Sequence, residues 1–164
     1  MGLFVSENPV VIYLDYIDGG DSGIYVIKDE KAKEVYSKIL KRARVKLRRA
    51  NWELYNIYME GCVIQNVEKG DAVMDPSKFT RNRFQTLILE IIDNVNKPES
   101  EWKKIPIDNF SITNMDPVFI NSIIDEYDNL LALEKIDFLT KNGISNEDIN
   151  NIKKEISEGE VQNS

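Results

Sequence analysis

The chain has 164 residues, 42% hydrophobic and 30% charged, which suits one domain with a buried core and argues against wholesale disorder. It carries no His and one Cys, so a His-based triad, a His general base, a thiolate metal cluster and an internal disulfide are excluded. The net charge of −7 sits in the last third: residues 1–115 hold 17 basic and 17 acidic side chains, and residues 116–164 hold four Lys against eleven Asp and Glu, a balance that discourages nucleic-acid binding by that third.

The N-terminus, MGLFVSENPV, lacks the basic and apolar regions of a secretory signal. Gly2 and Ser6 match the loose N-myristoylation pattern, one that is common by chance. No apolar run approaches the ~20 residues of a membrane span. Val10-Val11-Ile12-Tyr13-Leu14 reads as a strand, Asp18-Gly19-Gly20-Asp21-Ser22-Gly23 as a loop, and Ile24-Tyr25-Val26-Ile27 as the returning strand. The glycine cluster lacks the Gly-Lys-Ser/Thr ending of a phosphate-binding loop and leads into a strand, so a hairpin loop is expected.

From Glu30, Ala32, Val35, Tyr36, Ile39, Leu40 and Ala43 share a helical face, and the spacing can be carried on to Gly61. Residues 30–61 are thus one long helix, or a helix, strand and helix broken at Arg44-Val45-Lys46-Leu47-Arg48-Arg49, which alternates like an exposed strand. Mean helices of ~12 residues favour the break, with Asn51 capping a new helix at Trp52. Cys62 falls on an apolar helix face and reads as a small buried hydrophobe. Asp75-Pro76 and Asp116-Pro117 are helix starts. Behind the first, Phe84, Leu87, Ile88, Ile91, Ile92 and Val95 predict one helix ending at Asn96; behind the second, Phe119, Ile120, Ile123, Ile124, Tyr127, Leu130 and Leu131 form an apolar face. Trp102 and Ile105-Pro106-Ile107 connect the two along the core. Lys141-Asn142-Gly143 closes a helix, and Ser145 with Asp148 opens another carrying Ile149, Ile152 and Ile156. That helix lacks the basic character of a DNA-recognition helix, so a structural helix pair is expected.

Two groups of side chains invite a partner. Lys38, Lys41, Arg42, Arg44, Lys46, Arg48 and Arg49 lie within twelve residues that hold no acid. No nucleic-acid-reading motif accompanies them, so a solvated face or a dock for an acidic protein is the expected role. Trp52, Tyr55 and Tyr58 are candidate groove residues, or else ordinary core aromatics. The carboxylates form no EF-hand string, and no cofactor, metal or catalytic residue is expected.

The order of several short motifs resembles a known family. Val45-Lys46-Leu47-Arg48-Arg49-Ala50-Asn51-Trp52 is followed by Asn56-Ile57, by Asp75-Pro76-Ser77-Lys78-Phe79, by Arg81-Asn82-Arg83 and an aliphatic stretch to Asp93. Ile107-Asp108-Asn109-Phe110-Ser111-Ile112-Thr113-Asn114-Met115-Asp116-Pro117 and a helix through Ile124-Asp125-Glu126-Tyr127 continue the match over residues 44–131. This pattern is similar to the tail assembly chaperone-like proteins of tailed phages and of archaeal head-tailed viruses or their proviruses. The resemblance implies a non-enzymatic factor in the host cytoplasm that binds the tape-measure protein and recruits tail-tube protein. From the charge cluster and the aromatic run, Arg44, Lys46, Arg48, Arg49, Trp52, Tyr55 and Tyr58 are the candidate partner-binding residues. A homo-oligomer fits the charge asymmetry. A virion structural subunit, of tail-completion or baseplate type, and a nucleic-acid-binding regulator using residues 38–49 are the alternatives. The expected fold is mainly α, formally α+β. It has a small N-terminal β-hairpin over 1–29, a helical-bundle core over 30–133, a helix pair over 134–156 and a flexible tail over 157–164.

Overall fold

The computed structural model describes residues 3–66 and 68–163, with the backbone alone for Asn66 and for residues 156–163. Gly2, Ser164 and the side chain of Ile156 therefore lie outside the described residues.

The protein is built on a five-stranded antiparallel sheet, not on a helical bundle. Strand accounts for 24% of the chain against 48% helix, which corrects the expectation of a mainly helical core with a small hairpin. Strands β1 (Val10–Asp18), β2 (Ile24–Val26), β3 (Leu40–Leu47), β6 (Ile88–Asp93) and β7 (Lys103–Ile105) pair in the order β2-β1-β3-β6-β7. Two further strands, β4 (Val63–Asn66) and β5 (Asp71–Met74), form a separate hairpin. The helices are α1 (Glu30–Val35), α2 (Trp52–Met59), α3 (Pro76–Leu87), α4 (Asn109–Thr113), α5 (Pro117–Lys141) and α6 (Asn146–Asn163).

Alternation builds the core. Val10, Ile12, Leu14 and Tyr16 on β1 face inward with Ala43, Val45 and Leu47 on β3, all buried. Phe84 and Leu87 of α3, with Ile120, Ile123, Ile124 and Tyr127 of α5, close over them. The alternating charged stretch is thus a strand, but a central one: Val45 and Leu47 have no exposed surface, and only the opposite face carries the charges.

The break within 30–61 is present, and it comes earlier than Arg44. Asp29 caps α1 by accepting from Ala32 N–H, and the helix ends at Val35. Val35 and Ile39, expected on a buried helix face, are 76% and 58% exposed. A strand from Leu40 sends Ala43, Val45 and Leu47 into the core, where each is at most 1% exposed. Asn51 caps α2 as expected, its side chain accepting from Leu54 N–H at 2.9 Å.

The helix expected from 76 through 95 changes at Leu87 into β6. The register against β3 slips there: Leu47 faces Ile88 while Lys46 faces Glu90, skipping Leu89. This bulge puts an odd step between the buried residues Ile88 and Ile91. Three-residue spacing reads as helix, although the three isoleucines in the segment favour a strand. Downstream, the connecting segment forms edge strand β7, with Ile105 packed on the core.

Asp116 joins helix to sheet. It caps α5 by accepting from Val118 N–H at 2.8 Å, and its other oxygen accepts from Ile24 N–H of β2 at 3.0 Å. Gly23 permits this approach: a Cβ there would lie 2.8 Å from that oxygen, and its φ of +84° suits glycine. Gly143, at φ +77°, ends α5, and Ser145 Oγ bonds to Asp148 at the start of α6 as expected. Ile149 of α6 is buried.

Candidate functional site

The seven residues expected to bind a partner fall in three places. Arg44 and Lys46 project from β3 on the sheet face opposite the core, beside Tyr13 and Val11 of β1. Arg48 and Arg49 occupy the turn into α2. Trp52, Tyr55 and Tyr58 lie on α2.

On the open face, Arg44 and Lys46 approach the same oxygen of Glu90, each at 3.6 Å. That is beyond hydrogen-bond range. Among the described residues, neither that oxygen nor Arg44 Nε has a hydrogen-bond partner. Arg44 instead lays its guanidinium 5.4 Å from the ring centre of Trp102. Their neighbour Arg42 is engaged differently. Its Nε and a terminal nitrogen donate to the two oxygens of Asp15 at 2.7 and 3.0 Å, and Lys33 of α1 adds a contact at 3.1 Å.

Asp15 is the one buried charged side chain among the described residues, 7% exposed. Hydrogen bonds from Arg42 hold its carboxyl below the ordinary carboxylate range; burial opposes them and Lys33 adds to them. Because the folded value is depressed, the pair contributes stability above the unfolded pKa of ~3.9, and this is lost as pH falls through the folded value. Asp15→Asn is therefore expected to cost about 2 kcal/mol at pH 7. Arg42, 43% exposed, lets water screen part of the pair. The gap between wild type and variant should close in acid below the folded pKa. Urea melts from pH 7 downward check this, and a gap that does not narrow as pH falls below the unfolded value of ~3.9 would contradict it.

Arg49 is committed within the fold. It donates twice to Glu134 of α5, at 2.6 and 2.8 Å, and once to the Asn8 carbonyl at 2.9 Å. Arg48 has an exposed side chain, while its backbone serves the core: its N–H donates to Leu87 and its carbonyl accepts from the Tyr127 hydroxyl.

The aromatics of α2 form a graded series. Trp52 is 76% exposed and stacks on Tyr55 with ring centres 5.9 Å apart. Tyr55 meets Tyr58 edge-on at 5.4 Å, and Tyr58 meets Phe79 of α3 at 5.8 Å. Tyr58 is buried, so it is a core aromatic, whereas Trp52 offers its ring to solvent. The β4–β5 hairpin follows α2 directly. Val63, Ile64 and Val73 on it are each at least half exposed, and Ile64 and Val73 face each other across the strands. An isolated two-stranded hairpin is marginally stable by itself. Cys62 is buried at its base, its thiol donating to the Tyr58 carbonyl, beyond the end of α2 rather than on a helix face.

Other residues important to this region were not singled out from the sequence. Asn82 of α3 donates to the Tyr58 and Glu60 carbonyls at the end of α2. Arg83 lies among Tyr58, Phe79 and Tyr127 and pairs with Asp128. Both sit in the Arg81-Asn82-Arg83 stretch of the resemblance, which was the available signal. Among the described residues no three His, Cys, Asp or Glu side chains gather as a metal site. A largely apolar cleft of about 390 Å³ opens between the sheet and the start of α5, with Ala43, Ile91 and Phe119 in its wall. At its edge Tyr16 donates to Asp93 at 2.7 Å, and burial together with that carboxylate holds the phenol well above its ordinary pKa. No described helix is long and apolar enough to cross a membrane.

No family model, curated protein or solved structure matches the chain.

Proposed function

We propose that the chain is a non-enzymatic tail assembly chaperone of a tailed virus or provirus, working in the host cytoplasm. It covers apolar helices of the tape-measure protein and brings tail-tube subunits to them. The observation that carries this reading is the exposed apolar surface on α2 and the hairpin after it: Trp52, Ile57, Val63, Ile64 and Val73, each at least half exposed. Apolar surface gathered on consecutive elements marks an interaction site. A tape measure is a long helix with apolar stripes, an aggregation hazard until covered. A groove or ridge of aromatic and aliphatic side chains suits such a helix. The sequence resemblance supplies the choice of partner.

Co-expression with a tape-measure fragment tests the proposal. The wild-type chain should keep the fragment soluble and co-purify with it. Trp52→Ala with Ile64→Ser should lose at least ~10-fold of the co-purified fragment. The variant should keep a thermal melt within a few degrees of wild type, because both side chains are already exposed. A fragment equally soluble without the chain would refute the chaperone reading. Recovery of the chain in purified virions would favour a structural subunit.

A further inference from the structure

The sheet face turned away from α3 and α5 carries two rows of unlike chemistry. Val11 and Tyr13 on β1 are 38% and 56% exposed. Their register partners on β3 are Lys46 and Arg44. The next strand supplies a single carboxylate, Glu90, shared by both cations at 3.6 Å. One distant carboxylate leaves the two cations incompletely neutralised, in contrast to the closely paired Arg42 and Asp15, and Lys46 is the more open of the two, since Arg44 is 23% exposed with its guanidinium against Trp102. Lys104 of β7 adds a further cation on the same face, opposite Ile92. This surplus of positive charge stands in a chain whose net charge is −7. Helix α1 reaches the face at Asp15, through Lys33.

We propose that this open face docks an acidic amphipathic helix of a partner protein. Its apolar stripe lies on Val11 and Tyr13, and its carboxylates lie over Arg44 and Lys46. Charge complementarity selects the acidic partner and sets its register. A single-stranded nucleic acid suits the face less well. Glu90 would meet its phosphates amid the cations, and Tyr25, paired with Ile17, stands four residues along from Tyr13, ~13 Å and several base steps away. The surface is separate from α2 and the β4–β5 hairpin, so the inference does not depend on the tail-assembly reading.

The test is selection of peptides from a displayed library of random helix-forming 20-mers on the full chain, followed by fluorescence anisotropy of the enriched peptides. Acidic, amphipathic peptides should be enriched. Lys46→Gln, at a 37% exposed site that tolerates change, should weaken them, and Arg44→Gln with Lys46→Gln should weaken them at least ~10-fold. Glu90→Gln, which removes the competing carboxylate, should strengthen them several-fold. Enrichment of neutral or basic peptides, no enrichment, or equal binding to wild type, Lys46→Gln and Glu90→Gln would overturn the proposal. Tight binding of fluorescein-labelled oligouridylate that Lys46→Gln abolishes would also overturn it and put single-stranded nucleic acid on this face.

Discussion

Ile124→Asp is expected to leave the protein without a cooperative thermal transition. Ile124 is 3% exposed and its neighbour Ile123 fully buried, on the face of α5 that packs over β1 and α3. A carboxylate there has no cation within the apolar cluster to meet it, and an unpaired buried charge costs several kcal/mol. Total stabilities of ~5–15 kcal/mol leave little in reserve. Ile124→Val, which removes one methylene, should cost about 1 kcal/mol and keep a single sharp melt. A melt unshifted by Asp would mean that this helix face is not buried. Ile88→Asp should behave alike, although Ile88 begins a strand rather than continuing a helix.

Arg83→Ala is expected to be the most costly change of a charged residue, about 2 kcal/mol, through the lost stem packing, cation–π contacts and paired hydrogen bonds. The side chain is 12% exposed and donates to both oxygens of Asp128 at 2.5 and 3.0 Å. Its guanidinium lies 5.2 Å from the Phe79 ring centre and 5.8–5.9 Å from those of Tyr127 and Tyr58. One side chain therefore ties α2, α3 and α5 together through cation–π and paired hydrogen bonds. Arg83→Met keeps the apolar stem and should recover part of the loss, because Asp128 is 41% exposed and can rehydrate. Arg83→Lys cannot reproduce the fork and should remain destabilised. Denaturant melts of the three variants give the ranking. A loss under about 0.5 kcal/mol for Arg83→Ala would show the cluster to be energetically idle.

Local signals were legible in the sequence, and pairings across distance were not. Asn51, Asp75 and Asp116 cap helices where their side chains announced it, and the glycine-rich loop joins two strands. The sheet was missed for reasons that can be named. β3 wears charges on one face, so it read as an exposed strand, although its other face is the centre of the core. The bulge beside Leu47 gave β6 a helical spacing. The β4–β5 hairpin has apolar side chains on both faces and so shows no alternation to read. At the candidate site, nothing local distinguishes Arg49, which is bound to Glu134 85 residues away, from Arg44 and Lys46, which face outward. Likewise Trp52 and Tyr58 carry similar aromatic signals, and only packing separates the exposed ring from the buried one.

The strand order also sets a timetable for the nascent chain. β3 meets β1 after a short connection, but its other edge waits for β6, whose first residue lies 41 positions beyond Leu47. At ~5–20 residues per second, the ribosome holds that edge unpaired for roughly 2–8 s. For most of that interval Ala43, Val45 and Leu47 also lack the helices that will cover them, since α3 is completed only just before β6 and α5 comes later still. Lys41, Arg42, Arg44 and Lys46 are already in place on the same strand. Mutual repulsion between cations on two such strands keeps neighbouring nascent chains from pairing edge to edge, so the charges that mark the finished surface also guard the strand before it has a partner.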